Sequence, residues 1–125
     1  MKIIKYCAIV LLIAFAATGC KKQDQPIKPI QSATFTAVVE DPSALFPPTQ
    51  TITNINIIAG TNGWSITQNP TNTWCITEKN FGAGDFKLKL TINANATGLD
   101  RTTQIKLVST NASLAPVLLN IKQSK

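Results

Sequence analysis

From residue 33 onward the chain alternates apolar and polar residues in short runs, never at helical spacing. The clearest run is Phe86-Lys87-Leu88-Lys89-Leu90-Thr91-Ile92, whose apolar members fall on one side of an extended strand and whose lysines fall on the other. Such a strand has one dry face and one wet face. Phe35, Ala37 and Val39 alternate with Thr34, Thr36 and Val38 and stop at Asp41-Pro42, while Thr53, Ile55 and Ile57 share one face of Thr51–Ile58, which ends at Gly60. Further strands are predicted at Trp64–Gln68, at Trp74–Glu78 beyond the turn Asn69-Pro70-Thr71-Asn72, at Thr102–Ser109 through Ile105 and Leu107, and at Val117–Gln123 through Leu119 and Ile121. Seven half-buried strands with no helix to cover either face are satisfied by two sheets packed on each other. The expected fold is therefore all-β, an immunoglobulin-like two-sheet sandwich of about seven strands over residues 33–125.

The first 19 residues follow another pattern. Lys2 and Lys5 flank the start of an unbroken apolar stretch, Tyr6 to Ala17. As a helix it covers only about 18 Å of a hydrocarbon core about 30 Å thick, so it suits the apolar region of a signal peptide better than a permanent membrane span. It leads into Ala17-Thr18-Gly19-Cys20. Small residues there let a peptidase close on the backbone, and the Cys20 thiol is the nucleophile that can take a diacylglycerol. The segment resembles the lipobox of type II signal peptides, with Ala17 where Leu is usual. That resemblance implies a cleaved signal helix over residues 1–19, lipidation at Cys20, and a protein held on the membrane of the cell envelope, with the outer membrane the expected location. An ordinary secretory signal with an incidental cysteine is the alternative. Two or three acyl chains, at about 0.8 kcal/mol per buried CH2, make such an anchor effectively permanent. Residues 20–32 are polar, contain Pro26 and Pro29, and carry no apolar period, as expected of a flexible tether. Lys21 and Lys22 precede a single Asp24, which leaves the membrane face open.

Charge and cysteine content narrow the chemistry. The net charge of +6 falls by two once Lys2 and Lys5 leave with the signal, and the remaining lysines are scattered without interleaved aromatics, so no nucleic-acid partner is expected. Cys7 lies in the signal and Cys20 takes the lipid, leaving Cys75 without a disulfide partner. A reactive thiolate needs a base or cationic surroundings, and the chain has no histidine. Cys75 is expected to be a small, half-buried strand residue. Six acidic residues with no paired-carboxylate motif give no catalytic constellation, and Glu40-Asp41 lacks the oxygen count of a calcium site. No enzyme activity, cofactor or metal is expected.

One ordered set of residues carries a family resemblance: Gly63-Trp64-Ser65-Ile66, Trp74, Gly82-Ala83-Gly84, Asn95, Arg101, and Val117 through Gln123. Over about residues 33–123 this is similar to the BACON domain (Bacteroidetes-associated carbohydrate-binding often N-terminal). Cys75 stands where a larger aliphatic residue is usual, and Ala112-Ser113-Leu114-Ala115-Pro116 lengthens the last hairpin loop. The resemblance implies an immunoglobulin-like sandwich and a role in contacting glycans or mucin. It also places Trp64 and Trp74 in the core, with a ligand platform as their alternative role. Sugar platforms need exposed aromatic faces flanked by amides and carboxylates. By that criterion Phe46, in Leu45-Phe46-Pro47-Pro48, and Phe81, beside Gly82, are the candidate ligand-stacking residues, with plugging of the sandwich end as their alternative role. Arg101 is a candidate for an acidic sugar or, alternatively, a pin on the backbone of the preceding loop. The expected function is that of a membrane-tethered, non-catalytic module contacting glycans. The alternative is a structural or protein-interaction sandwich of an envelope complex, using an apolar face around Val38, Val108 and Leu118.

Overall fold

A computed structural model describes residues 26–41 and 43–125; the signal segment and Cys20 lie outside the described residues. Nine strands follow in order: β1 (Thr36–Val39), β2 (Leu45–Phe46), β3 (Thr51–Ile58), β4 (Gly63–Gln68), β5 (Cys75–Thr77), β6 (Phe81–Ala83), β7 (Phe86–Ile92), β8 (Arg101–Ser109) and β9 (Val117–Gln123). They form a four-stranded sheet, β1-β3-β7-β5, and a five-stranded sheet, β2-β9-β8-β4-β6. Every pairing is antiparallel except β2 with β9. The fold is the all-β sandwich that the alternating pattern predicts, with no helix among the described residues. The two additional strands are β2 and β6. Runs of two and three residues are too short to show a period of two.

Register explains which side chains meet. Ile55 lies opposite Leu88 and Thr53 opposite Leu90 in one sheet, and Ile66 opposite Leu107 in the other, so the inward members of each strand form rows that interlock across the interface. Phe35, Ala37, Val39, Ile55, Ile57, Ile66, Leu88, Leu90, Ile92, Ile105, Leu107 and Ile121 are all buried, and Phe86, Val117 and Leu119 pack against them from partly buried positions. Outward members of the same strands, such as Lys87 and Lys89, are exposed.

Trp64 closes one end of this core. It is 2 % exposed, its ring centroid is 5.8 Å from that of Phe86, and its indole Nε1 donates to the Gly84 carbonyl at 3.1 Å. Gly82 lies flat against the ring: a Cβ there would sit 2.4 Å from the indole Cζ2. Only glycine lets β6 approach this closely.

The segment assigned to the tether is sewn on at the same end. Asn62, 1 % exposed, accepts from the Ser32 amide at 3.1 Å and donates to the Ser32 carbonyl at 2.9 Å; Asn111 donates to that carbonyl as well, and Thr61 Oγ1 donates to the Ile30 carbonyl at 2.7 Å. Residues 30–32 are thus part of the folded body. Asp85 accepts the amides of Ala59 and Gly60 nearby, which holds its carboxyl below the usual range. No buried side-chain polar atom among the described residues lacks a hydrogen-bond partner.

Candidate functional site

The most developed concavity is an open groove of about 680 Å³ on the outward face of β4, β8 and β9, within the range of about 300–1,000 Å³ typical of small-ligand sites. Its floor is made of outward strand members: Thr67 from β4, Thr102, Gln104 and Lys106 from β8, and Asn120 and Lys122 from β9. Gln104 sits opposite Asn120 in the ladder and donates to its side-chain carbonyl at 3.0 Å. One wall is the β4–β5 loop with Trp74.

That loop is built from its own amides. Asn69 Oδ1 accepts from the amide and hydroxyl of Thr71, and the Asn72 amide donates to the Asn69 carbonyl at 2.9 Å, making a tight turn. Asn72 then holds the chain beyond it. Its Oδ1 accepts from the amides of Trp74 and Cys75, and its Nδ2 donates to Gln68 Oε1 and to the Cys75 carbonyl. The Trp74 carbonyl in turn accepts the Asn93 amide at 2.7 Å. Trp74 is therefore fixed from both sides while its indole stays half-buried.

Behind the indole lies Arg101, with its guanidinium carbon 4.4 Å from the ring centroid. Nε donates to Gln123 Oε1 at 2.8 Å, and the same terminal nitrogen donates to the Asn93 and Ala94 carbonyls at 2.8 and 3.0 Å. Gln123, fully buried, completes the lock by donating to the Pro47 and Asn93 carbonyls. Of the two roles open to Arg101, the geometry is that of a pin on the preceding loop. It also backs one face of Trp74, leaving the rest of the ring to border the groove.

The aromatic candidates are placed differently from the sequence reading. Phe46 is 2 % exposed and belongs to the core, because β2 adds parallel to the end of β9 and turns the ring inward, so it offers no face to a ligand. Phe81 is 76 % exposed. It lies on edge strand β6 opposite Ser65, on the same outer sheet face as the groove but outside its lining. Trp74, read from sequence as core with a ligand platform as the alternative, packs partly buried against the core and also borders the groove. It precedes β5, whose Cys75 and Thr77 are buried and whose Ile76 is exposed, so the alternation of that strand does not set its direction.

Other candidates resolve into structural roles. Cys75 is 1 % exposed, and burial pushes its thiol up to about 12, which removes the thiolate a nucleophile requires. Glu40 pairs with Lys87 and accepts from Asn54, and Asp41 accepts from Ser43; no group of acidic or cysteine side chains able to hold a metal occurs among the described residues. Asn95 accepts from Thr97 and donates to the Leu99 and Ser124 carbonyls, as a turn residue does. Val38 and Leu118 meet at a recess of about 290 Å³ between β1 and β9, but Val108 does not line it.

Comparison with known proteins places the fold in context. Residues 63–124 match the BACON family, described as "Putative binding domain, N-terminal". The matched stretch begins at β4 and includes both tryptophans, Arg101 and Gln123. No curated protein matches the chain. Among solved structures, one described as a Bacteroides ovatus GH5 xyloglucanase in complex with a XXXG heptasaccharide aligns with a TM-score of 0.59 and 24 % identity, over 71 % of this chain and 19 % of that one. This likeness is one of fold, and the chain spans about a fifth of the length of that enzyme.

Proposed function

From the match of residues 63–124 to the BACON family, we propose that the protein is a carbohydrate-binding module whose ligand lies in the groove beside Trp74. The observation that carries the reading is the composition of that groove. A half-buried indole borders a floor of amides and hydroxyls from Thr67, Thr102, Gln104 and Asn120. An aromatic surface meets the apolar side of a sugar ring, and amides and hydroxyls exchange hydrogen bonds with its hydroxyl groups. The GH5 enzyme with a similar fold is described with a bound heptasaccharide, which adds weight to a sugar as the ligand class. Glycans, mucin among them, are the proposed partners, and the domain acts by binding and not by catalysis.

We further propose that Cys20 carries a lipid that holds the module at the cell envelope, at the outer membrane. Residues 30–32 join the body at the Asn62 end of β4, whereas the groove is lined by Thr67 and Gln68 at the other end of that strand. A module anchored through Cys20 would thus hold its groove away from the point of attachment.

A glycan array probed with the purified protein and with Trp74→Ala tests the sugar reading. Because Trp74 also packs on the core, Asn120→Ala serves as a second variant that changes only an exposed floor residue. Retention of glycan binding by both, or the absence of any bound glycan, refutes the groove. Cys20→Ser tests the anchor, since it should move the protein from the membrane fraction to the soluble fraction.

A further inference from the structure

We infer that the groove takes a polyanionic glycan, one that carries carboxylate or sulfate groups at intervals, in preference to a neutral one. This rests on the reading of the groove as a sugar site and narrows its ligand class. Two lysines, Lys106 and Lys122, stand on the groove floor, and no carboxylate lines it. Neither lysine forms an ion pair among the described residues, where Lys87 with Glu40 is the one salt bridge. The described acidic residues are engaged elsewhere: Glu40 and Asp41 near the β1 end, Glu78 on the Lys89 amide, Asp85 on Ala59 and Gly60, and Asp100 on the Lys125 amide. Arg101 adds a third positive charge directly behind Trp74. The groove is therefore a cationic strip whose balancing charge must come from outside.

The spacing of the two lysines favours a polymer over a small anion. Lys106 is paired with Leu118 and Lys122 with Thr102, so they lie on neighbouring strands four positions apart. With a rise of about 3.4 Å per residue and strands about 4.8 Å apart, their backbones are separated by roughly 14 Å. Between them sits the Gln104–Asn120 amide pair. The strand register sets the two lysines apart, and the neutral amides between them match hydroxyls. A chain with acidic groups separated by neutral positions satisfies both features at once. Each exposed lysine alone is worth little, but together they steer and hold a chain that carries many charges.

Affinity electrophoresis and calorimetry with polygalacturonate, chondroitin sulfate, a neutral galactan and duplex DNA test the inference on the wild-type protein, on Lys106→Gln/Lys122→Gln and on Trp74→Ala. The expected result is binding of at least one anionic glycan more tightly than the galactan, weakened about tenfold in the double-lysine variant, weakened also in Trp74→Ala, and weakened by added salt. Binding of polygalacturonate, which carries carboxylates alone, identifies carboxylate as sufficient; binding of chondroitin sulfate, which carries both groups, but not of polygalacturonate assigns recognition to sulfate. Equal binding of the galactan, unchanged in the double-lysine variant and lost in Trp74→Ala, overturns the charge inference while leaving the sugar site standing. No binding to any glycan overturns both. DNA bound as tightly as the glycans and indifferent to Trp74→Ala reveals simple ion exchange and overturns the inference. An unchanged melting temperature of the double-lysine variant shows that its loss is one of binding.

Discussion

Trp64, on β4, and Trp74, in the loop just before β5, lie ten residues apart, yet they occupy different physical situations. At the tether end, Trp64 is sealed by Gly82, bonded through Nε1 to Gly84 and packed on Phe86. At the groove end, Trp74 is half-buried, carries Arg101 on one face and borders open space. The first indole contributes its area to the core. The second is positioned by a polar network so that part of its surface stays available. A large aromatic residue thus serves cohesion or recognition according to how completely it is covered: Trp64 by a glycine strand, Phe86 and the Lys79 ammonium, Trp74 by the Arg101 guanidinium on one face.

The contrast can be broken most forcefully at Trp64. Trp64→Ala should cost about 3–5 kcal/mol, enough to abolish cooperative folding in a domain of this size, whereas Trp74→Ala should cost less than half as much and leave a measurable melting transition. Equal losses in chemical denaturation would erase the distinction. Next in size is Gln123→Ala. It removes the acceptor of Arg101 Nε and the donor to two carbonyls inside the body, so a loss of about 2–3 kcal/mol is expected, together with a changed near-ultraviolet signal from Trp74 as Arg101 loosens. Gly82→Ala should then cost about 1–3 kcal/mol through the clash with the Trp64 ring and leave the groove intact, which a ligand titration would verify.

The smallest expected effects are those of pH, and they divide between the two ends. Asp85, at the Trp64 end, has its carboxyl lowered from 3.8 by the amides of Gly60 and Ala59. Its contribution is present above that ordinary value and is lost as pH falls through the lower folded value, so Asp85→Asn should flatten the acid limb of stability. Cys75, next to Trp74, is raised from 9.0 to about 12 by burial. The neutral thiol is favoured in the folded chain, so its contribution is complete below about 9 and disappears as pH rises toward 12. Cys75→Ala should flatten only the alkaline limb. Denaturation midpoints at the two extremes of pH check both outcomes.

Much of the architecture is legible in the sequence alone. Strands such as Phe86–Ile92 alternate so strictly that register and inward face are both dictated by the side chains. The Arg101 pin was open as one of two roles, and the groove was not visible at all. Its floor draws Thr67, Gln104 and Asn120 from three strands that are distant in sequence and adjacent only once β8 pairs with β4 on one side and β9 on the other. Phe46 was misread for a related reason. A two-residue strand has no period of its own, and its burial comes from parallel addition to the far end of the chain.

The sequence by itself determined that this chain makes half-buried strands that must bury one face against each other, because period-two alternation gives each strand one apolar face and no helical segment follows to cover it. Only the tertiary structure decided which aromatic ring is cement and which is surface, and where unpaired lysines gather. Those properties depend on neighbours brought together across sheets, by pairings that no local stretch of residues encodes.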